Sequence, residues 1–255
     1  GLGDVYKRQD SPDYIDALNR IITRERIDFV HAQPDVEVDV ISRRRAELAA
    51  ATFLPPDETI RLCGDKMKFN QRLRAAGVPV PEAYTLDRED DLDESLAALF
   101  ANHEKAWLRA IRGAGSRASL PVKTVSHAKA WIDYWKTMRG LGYGDFMVSE
   151  FLPGKEFAFQ SLWHEGKLVV SQARERVEYI FGHLTPSGQS SSPSVARTVH
   201  RDDVNDICTR AILATDARPH GIFCADLKEN AAGKPLVTEI NCGRFFTTSN
   251  FYAHA

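Results

Sequence analysis

The sequence predicts a mixed α/β fold, and three observations carry that reading. Residues 12–51 alternate helix, strand and helix, as in a layered α/β unit. Further on, short apolar runs bounded by Gly, Pro and polar turns recur between helical patterns (105–111, 120–125, 146–152 and 168–173), the mark of sheet strands. Near the end, Gly221–Lys228 and Pro235–Arg244 flank a polar turn, Glu229–Lys234, and read as a hairpin. At 255 residues the chain suits one large or two small domains. Its 27% charged and 43% apolar residues are ordinary for a globular protein, and a net charge of −2 gives no nucleic-acid footprint.

In chain order, Gly1–Gln9 fits nothing downstream. Its Val-Tyr-Lys-Arg-Gln ending is what a translated sequencing adaptor encodes, so it is set aside as foreign. Ser11-Pro12 starts a helix carrying Ile15, Leu18, Ile21 and Ile22. Ile27–Ala32 reads as a short buried strand and Asp35–Ala51 as a second helix. Together they resemble the remnant of a Rossmann-like layer spanning residues 10–60. Asp65 caps a helix with Phe69, Leu73 and Ala76 on one face, ended by Gly77 and the extended Val78-Pro79-Val80-Pro81. Glu89–Ala101 is helical, with Leu92, Leu96, Leu99 and Phe100 inward. Ser126 caps a helix whose Trp131, Trp135 and Met138 form a core stripe. Gly182–Ser194 is a long Ser/Pro/Gly-rich loop, and Asp202–Thr215 a final helix. The pattern stops at Ala255 without a closing element, so continuation is expected.

Four cysteines without a paired spacing point to a reducing compartment, and the histidines show no metal-binding spacing. No run is apolar enough for a membrane span and no signal peptide is visible. The cytoplasm is the expected location.

The acids of the hairpin need explaining. Asp226 and Glu239 interrupt apolar strands, and Asn241 shares the face of Glu239. With Asn230 opposite Gly233, Asp226 opposes Val237 and Glu239 is its diagonal neighbour; a one-residue slip separates the acids. Two carboxylates and an amide oxygen make a hard, oxygen-only set suited to Mg²⁺. A solvated strand face is the alternative. Upstream, Arg112–Ser119 is a Gly-rich loop between two strands, a shape that covers phosphates. It also fits a dinucleotide fingerprint at Gly113 and Gly115, but a strand rather than a helix follows. Lys66 stands at a helix start, and Arg109 lies in an apolar strand that calls for an anionic partner. Arg174 and Arg176 follow a strand end. In Met147–Glu156 an apolar strand carries two acids six residues apart, so its backbone can read an adenine edge.

Taken in order, these stretches resemble the ATP-grasp superfamily, most of all the large chain of carbamoyl-phosphate synthase and its single-domain relatives. The carriers are Asp65-Lys66 with Gly77–Pro81, Leu108-Arg109 with Gly113–Arg117, Ser149–Leu152 with Gly154–Glu156, and Asp226 with Glu239–Asn241. The resemblance implies two α+β subdomains clasping ATP, preceded by a pre-ATP-grasp layer. The ATP-grasp domain would span 61–255, with a lid at about 82–147 and a large subdomain from 148. Lys66 and Arg109 would hold phosphates under the loop of Gly113, Gly115, Ser116 and Arg117. Glu150, Phe151 and Leu152 would form the adenine hinge, with Glu156 on the ribose. Asp226, Glu239 and Asn241 would ligate one or two Mg²⁺ ions, Mn²⁺ substituting. Arg244 would face the transferred phosphoryl group, joined by Arg174 or Arg176. The implied activity is a C–N ligase joining a small-molecule carboxylate and an amine through an acyl phosphate, with no nucleic-acid or membrane partner. A binding module without turnover is the second reading and a dinucleotide-dependent oxidoreductase a distant third. The chain departs from the family at Ala110, where Pro is common, at Ala118, where Gly is common, and at Asn241-Cys242-Gly243-Arg244, which replaces Asn-Pro-Arg.

Overall fold

The computed structural model describes residues 11–113, 118–185, 188 and 193–246. It begins with a small α/β unit: α1 (Tyr14–Glu25), β1 (Phe29–Val30), α2 (Asp35–Arg43) and β2 (Ala51–Thr52), with β1 and β2 parallel. Two expectations change here. The strand is two residues long, and Phe29 is 51% exposed rather than buried. The second helix stops at Arg43, a 3₁₀ turn follows at Arg45–Glu47, and Ala51 is already in β2. Pairing of Ala51-Thr52 with Phe29-Val30 overrides the helix propensity of the preceding alanines.

An unforeseen helix, α3 (Asp57–Gly64), leads into α4 (Lys66–Ala75). The Asp65 side chain accepts the Lys68 amide at 3.1 Å and separates the two helices as an N-cap. Next come β3 (Ala83–Thr85), α5 (Glu89–Phe100), β4 (Ala106–Ala110), β5 (Leu120–Val122), α6 (Val125–Arg139) and β6 (Phe146–Glu150). These strands make a four-stranded sheet in the order β3-β6-β4-β5. Leu92, Leu96 and Leu99 of α5 and Ala128 and Ile132 of α6 pack on Leu108, Val122, Phe146 and Val148. The cap of α6 is Thr124, not Ser126: its hydroxyl accepts the His127 amide at 3.2 Å, and β5 ends early to allow it. Trp131 and Trp135 are half-buried against this core, but Met138 is 57% exposed, because the stripe runs out beyond the sheet edge. Since β6 lies wholly in this sheet, we place the boundary of the small unit after Glu150 rather than at 147.

The larger sheet, ordered β11-β10-β7-β8-β9, contains β7 (Glu156–His164), β8 (Lys167–Tyr179), β9 (Pro193–Thr198), β10 (Gly221–Glu229) and β11 (Pro235–Cys242), with α7 (Asp202–Thr215) before β10. One face carries Phe157, Phe159, Trp163, Phe223, Leu227, Val237 and Ile240 and packs on Phe69, Leu73, Val204, Ile207 and Ile212. Ile15, Val38 and Ile41 of the first unit join the same core. Within the span read as a long loop, the described residues form a 3₁₀ turn at Gly182–Leu184 and begin β9 at Pro193. Among the described residues, no helix is long and apolar enough to cross a membrane.

The two sheets are joined by 151–155, and Gly154 fixes that joint. A Cβ there would lie 2.6 Å from the Glu229 Cβ and 2.9 Å from the Glu229 carbonyl oxygen. Gly154→Ala is therefore expected to destabilise the fold by about 1–3 kcal/mol, read as a lower urea midpoint at unchanged slope.

Candidate active site

The second face of the larger sheet is polar where the first is apolar. Strand alternation brings Glu156, Ala158 and Gln160 of β7, Arg174 and Arg176 of β8, Cys224, Asp226 and Lys228 of β10, and Glu239 and Asn241 of β11 to one side. The expected register needs one correction. Asp226 pairs directly with Glu239, not with Val237, because a bulge between Asp226 and Leu227 absorbs Thr238. The Thr238 hydroxyl donates to the Asp226 carbonyl at 3.0 Å and stabilises that bulge. The acids still share a face, now as nearest neighbours.

Like charges opposite each other on a sheet repel, and here cations separate them. Arg109 Nη2 stands 2.5 Å from Glu239 Oε2. Arg176 Nη2 stands 2.6 Å from Asp226 Oδ1, and its Nη1 3.0 Å from Glu156 Oε1. Asn241 Nδ2 lies 3.2 Å from Asp226 Oδ2 and 3.5 Å from Glu239 Oε1. Arg174 and Arg176 do not follow a strand end: both lie inside β8, which runs to Tyr179. That continuation lets Arg176 reach across β7 to β10. The Phe246 ring covers both guanidinium groups, at 5.3 and 5.1 Å.

From the smaller sheet, Arg109 and Trp107 face this acid row, with Met147 and Ser149 beside them. Trp107 lies 6.4 Å from Phe151, and Lys105 and Lys228 sit over the Phe151 ring at 5.3 and 5.9 Å. Among the described residues, the backbone groups of Phe151 and Leu152 form no hydrogen bond outside the sheet ladders. The joint thus offers an open polar edge beside an aromatic pair, Trp107 and Phe151. The Glu150 carboxylate turns the other way and accepts the Glu82 amide at 3.0 Å.

Lys66 opens α4 and donates its Nζ to the Gly113 carbonyl at 2.7 Å. Arg112 Nη2 reaches Asp65 Oδ2 at 3.0 Å, and the Lys66 amide donates to the Ile111 carbonyl at 3.1 Å. The foot of the Gly-rich loop is thereby tied to the helix start. Gly115, Ser116 and Arg117 lie outside the described residues. Glu156 is shared by Arg176, Lys228 at 3.6 Å and the Tyr179 hydroxyl. Arg244 donates to Asn241 Oδ1 at 2.7 Å and pairs with Asp35.

The environment splits the two acids. Burial, with Glu239 and Glu156 nearby and despite Arg176, pushes the Asp226 carboxyl up to about 7. Against its burial, Arg109 and Lys66 hold the Glu239 carboxyl down to about 2. Burial also pushes the Lys66 ammonium below its ordinary range, against the pull of Glu239. A carboxyl raised in the folded state stabilises at low pH and loses that contribution as pH rises through its folded value. The Asp226 contribution to folding stability should therefore fall between about pH 4 and 7, and Asp226→Asn should remove it. Urea unfolding across this range checks it.

The donor set fits a hard divalent cation: two facing carboxylates with an amide between them. Among the described residues, no group of three or more His, Cys, Asp or Glu could hold a metal unaided, so phosphate oxygens would have to complete the shell. Arg109 and Arg176 each keep a buried Nε–H without a hydrogen-bond partner among the described residues, leaving a donor for phosphate.

A family model described as the ATP-grasp domain matches residues 63–248, most of the chain. The chain belongs to the ATP-grasp family. Solved structures agree on the fold. The biotin carboxylase domain of Hydrogenobacter thermophilus 2-oxoglutarate carboxylase, solved with MgADP, ADP and bicarbonate, superposes with a TM-score of 0.73 at 14% identity, covering 96% of this chain and 54% of that one. The D-alanine–D-alanine ligase of Coxiella burnetii gives 0.63 at 21% identity, covering 87% and 60%. The L-amino acid ligase of Bacillus licheniformis gives 0.65 at 16% identity, covering 98% and 56%. The chain thus spans 54–60% of the length of these three ATP-grasp relatives. No curated protein matches it significantly.

Three participants escaped the sequence reading. Trp107 and Lys228 were signalled only by their two-residue offsets from Arg109 and Asp226, whereas Tyr179 and its bond to Glu156 had no signal.

Proposed function

We propose that this ATP-grasp chain is the nucleotide-binding part of a Mg-dependent ligase. It would join a carboxylate, or bicarbonate, to an amine through an acyl phosphate, as the carbamoyl-phosphate synthase resemblance suggests. The observation that supports this best is the alternating charge row Arg109–Glu239–Asn241–Asp226–Arg176. It lies near the Trp107–Phe151 pair and the open backbone edge of 151–152. In ATP-grasp terms, the Trp107–Phe151 pair takes the adenine, Phe151 and Leu152 meet its edge, and Glu156 with Lys228 meets the ribose. Lys66 and Arg109 hold phosphate oxygens, and Arg244 faces the γ-phosphoryl group. Asp226, Glu239 and Asn241 would hold Mg²⁺, which would offset the charge of the phosphates. Asn241 has to turn its amide to offer oxygen, which frees the Arg244 donor that Oδ1 now accepts.

The carboxylate oxygen attacks the γ-phosphorus and ADP departs with the bonding pair. An amine nitrogen then attacks the acyl carbon and phosphate leaves, the amine losing one proton. Both steps need alignment and charge neutralisation rather than a side-chain nucleophile. The cationic rim of Lys66, Arg109 and Arg176 supplies the charge neutralisation. A cytoplasmic location fits such a reaction.

The test is product analysis. With Mg·ATP, bicarbonate and ammonia, and separately with amino-acid pairs, the protein is expected to release ADP and phosphate only when both acceptors are present. Release of AMP and pyrophosphate, or thermal stabilisation by NAD(P) and not by Mg·ATP, would overturn the reading. Stabilisation by Mg·ATP with no acceptor-dependent turnover would leave the binding-module reading in its place.

A further inference from the structure

Arg244 stands at the outer end of the acid row and is gripped from outside the region that the family model matches. Its Nε and Nη2 face the carboxylate of Asp35, with Nη2 at 3.5 Å from Oδ2, and Nη2 also donates to Asn241 Oδ1 at 2.7 Å. Asp35 is the first residue of α2, whereas the family match begins at residue 63. The arginine side chain is 17% exposed. Among the described residues, no group takes its Nη1 donors.

The same joint is fastened three more times. The Gln33 amide donates to the Phe245 carbonyl at 2.7 Å and accepts the Phe245 amide at 3.3 Å. The His31 ring tilts against Phe245 with centroids 5.3 Å apart. Gly243, at φ +83°, is pressed so close that a Cβ would come within 2.9 Å of Leu54 and of Val38. So 31–35 and 243–245 pack together, although they are far apart in the chain.

We infer that Asp35 is a positioning residue: it anchors the Nε edge of Arg244 so that the Nη1 edge faces the phosphoryl group. This rests on the site being one of ATP-dependent phosphoryl transfer. A guanidinium is a planar fork with five fixed donors, so a carboxylate on one edge sets the plane and direction of the other. Without it the side chain samples several rotamers, and ordering it on ligand binding costs affinity. The start of α2 is a favourable place for that carboxylate, because the helix dipole offsets its charge while leaving it a full hydrogen-bond acceptor. The small α/β unit therefore contributes to the site without touching the nucleotide.

The test uses inorganic phosphate as the probe, titrated calorimetrically into the whole chain saturated with Mg·ADP. Arg244→Met and Asp35→Asn are each expected to weaken phosphate binding by about tenfold, the scale of one misplaced charge-assisted hydrogen bond. Mg·ADP affinity should stay unchanged in Asp35→Asn, whose carboxylate meets Arg244 and not the proposed metal ligands. The double variant should be no weaker than Arg244→Met alone, since both act through one group, and Asp35→Glu should recover most of the loss. Native phosphate affinity in Asp35→Asn, alongside weakened Arg244→Met, would overturn the role of Asp35. So would losses that multiply in the double variant. If Asp35→Asn proves too unstable to titrate, Asp35→Glu decides: a folded protein without recovered affinity contradicts the proposal. Failure of the wild type to bind phosphate with Mg·ADP is a different result, and it removes the phosphoryl-transfer reading itself.

Discussion

Glu239→Gln is expected to abolish Mg·ATP turnover, with a loss of about a thousandfold or more, while the fold persists. Two features make Glu239 the most consequential side chain in the site. It faces Asp226 directly across the hairpin and bonds Arg109 from the opposing sheet. It is also the acid held ionised, down to about 2, so it is a ready anionic ligand across the working pH range. The amide keeps the shape and can still accept from Arg109, so the fold should persist with an unfolding free energy lower by about 1–3 kcal/mol. Steady-state ADP release, with circular dichroism as the control, checks both halves. Undiminished ATP hydrolysis in this variant would refute the metal assignment.

Arg176→Met is expected to have the largest effect on stability. Its side chain is only 12% exposed and neutralises two acids, Asp226 of β10 and Glu156 of β7. Removing it leaves both carboxylates without their main counter-ion, a loss of about 3–5 kcal/mol for a broken buried pair. In a domain of this size that lowers the unfolding temperature by roughly 6–20 °C. The sign with pH follows: the defect should ease on acidification through about 7, where Asp226 takes up a proton. Scanning calorimetry at pH 5.5 and 7.5 measures it. An unfolding temperature equal to wild type at both pH values would show that the acids are neutralised otherwise. Added Mg·ATP should restore part of the loss, because cationic ligands at Asp226 replace what Arg176 supplied.

The parts of this fold legible in the sequence were those with strong local signals. The leucines of α5, the Asp65 cap and the apolar α7 face each followed a single period or cap rule, and each appears as expected. The hairpin of β10 and β11 was legible, but its register was not: one inserted Thr238 changes which residues face each other. Bulges depend on local hydrogen bonding that a two-residue period does not encode. α3 was missed because Pro55-Pro56 reads as a linker, although Pro56 stands just ahead of that helix and is compatible with its start. In the site, Arg109, Asp226 and Glu239 were legible because charges inside apolar strands demand partners. Who those partners are was not. Arg176 reaches Asp226 across an intervening strand, and Asp35 meets Arg244 from the far end of the chain. Sequence separation hides such pairs, and only the tertiary structure brings them together.

The central claim is that Asp226, Glu239 and Asn241 form the metal end of a nucleotide site. The most direct measurement is an anomalous difference map from crystals grown with Mn²⁺ and a non-hydrolysable ATP analogue. The account predicts one or two manganese peaks about 2.2 Å from oxygens of Asp226 and Glu239, bridged to phosphate oxygens, with Arg109 and Arg176 turned from the acids toward the phosphates. Nucleotide density without manganese at those carboxylates, or manganese bound elsewhere, would contradict it.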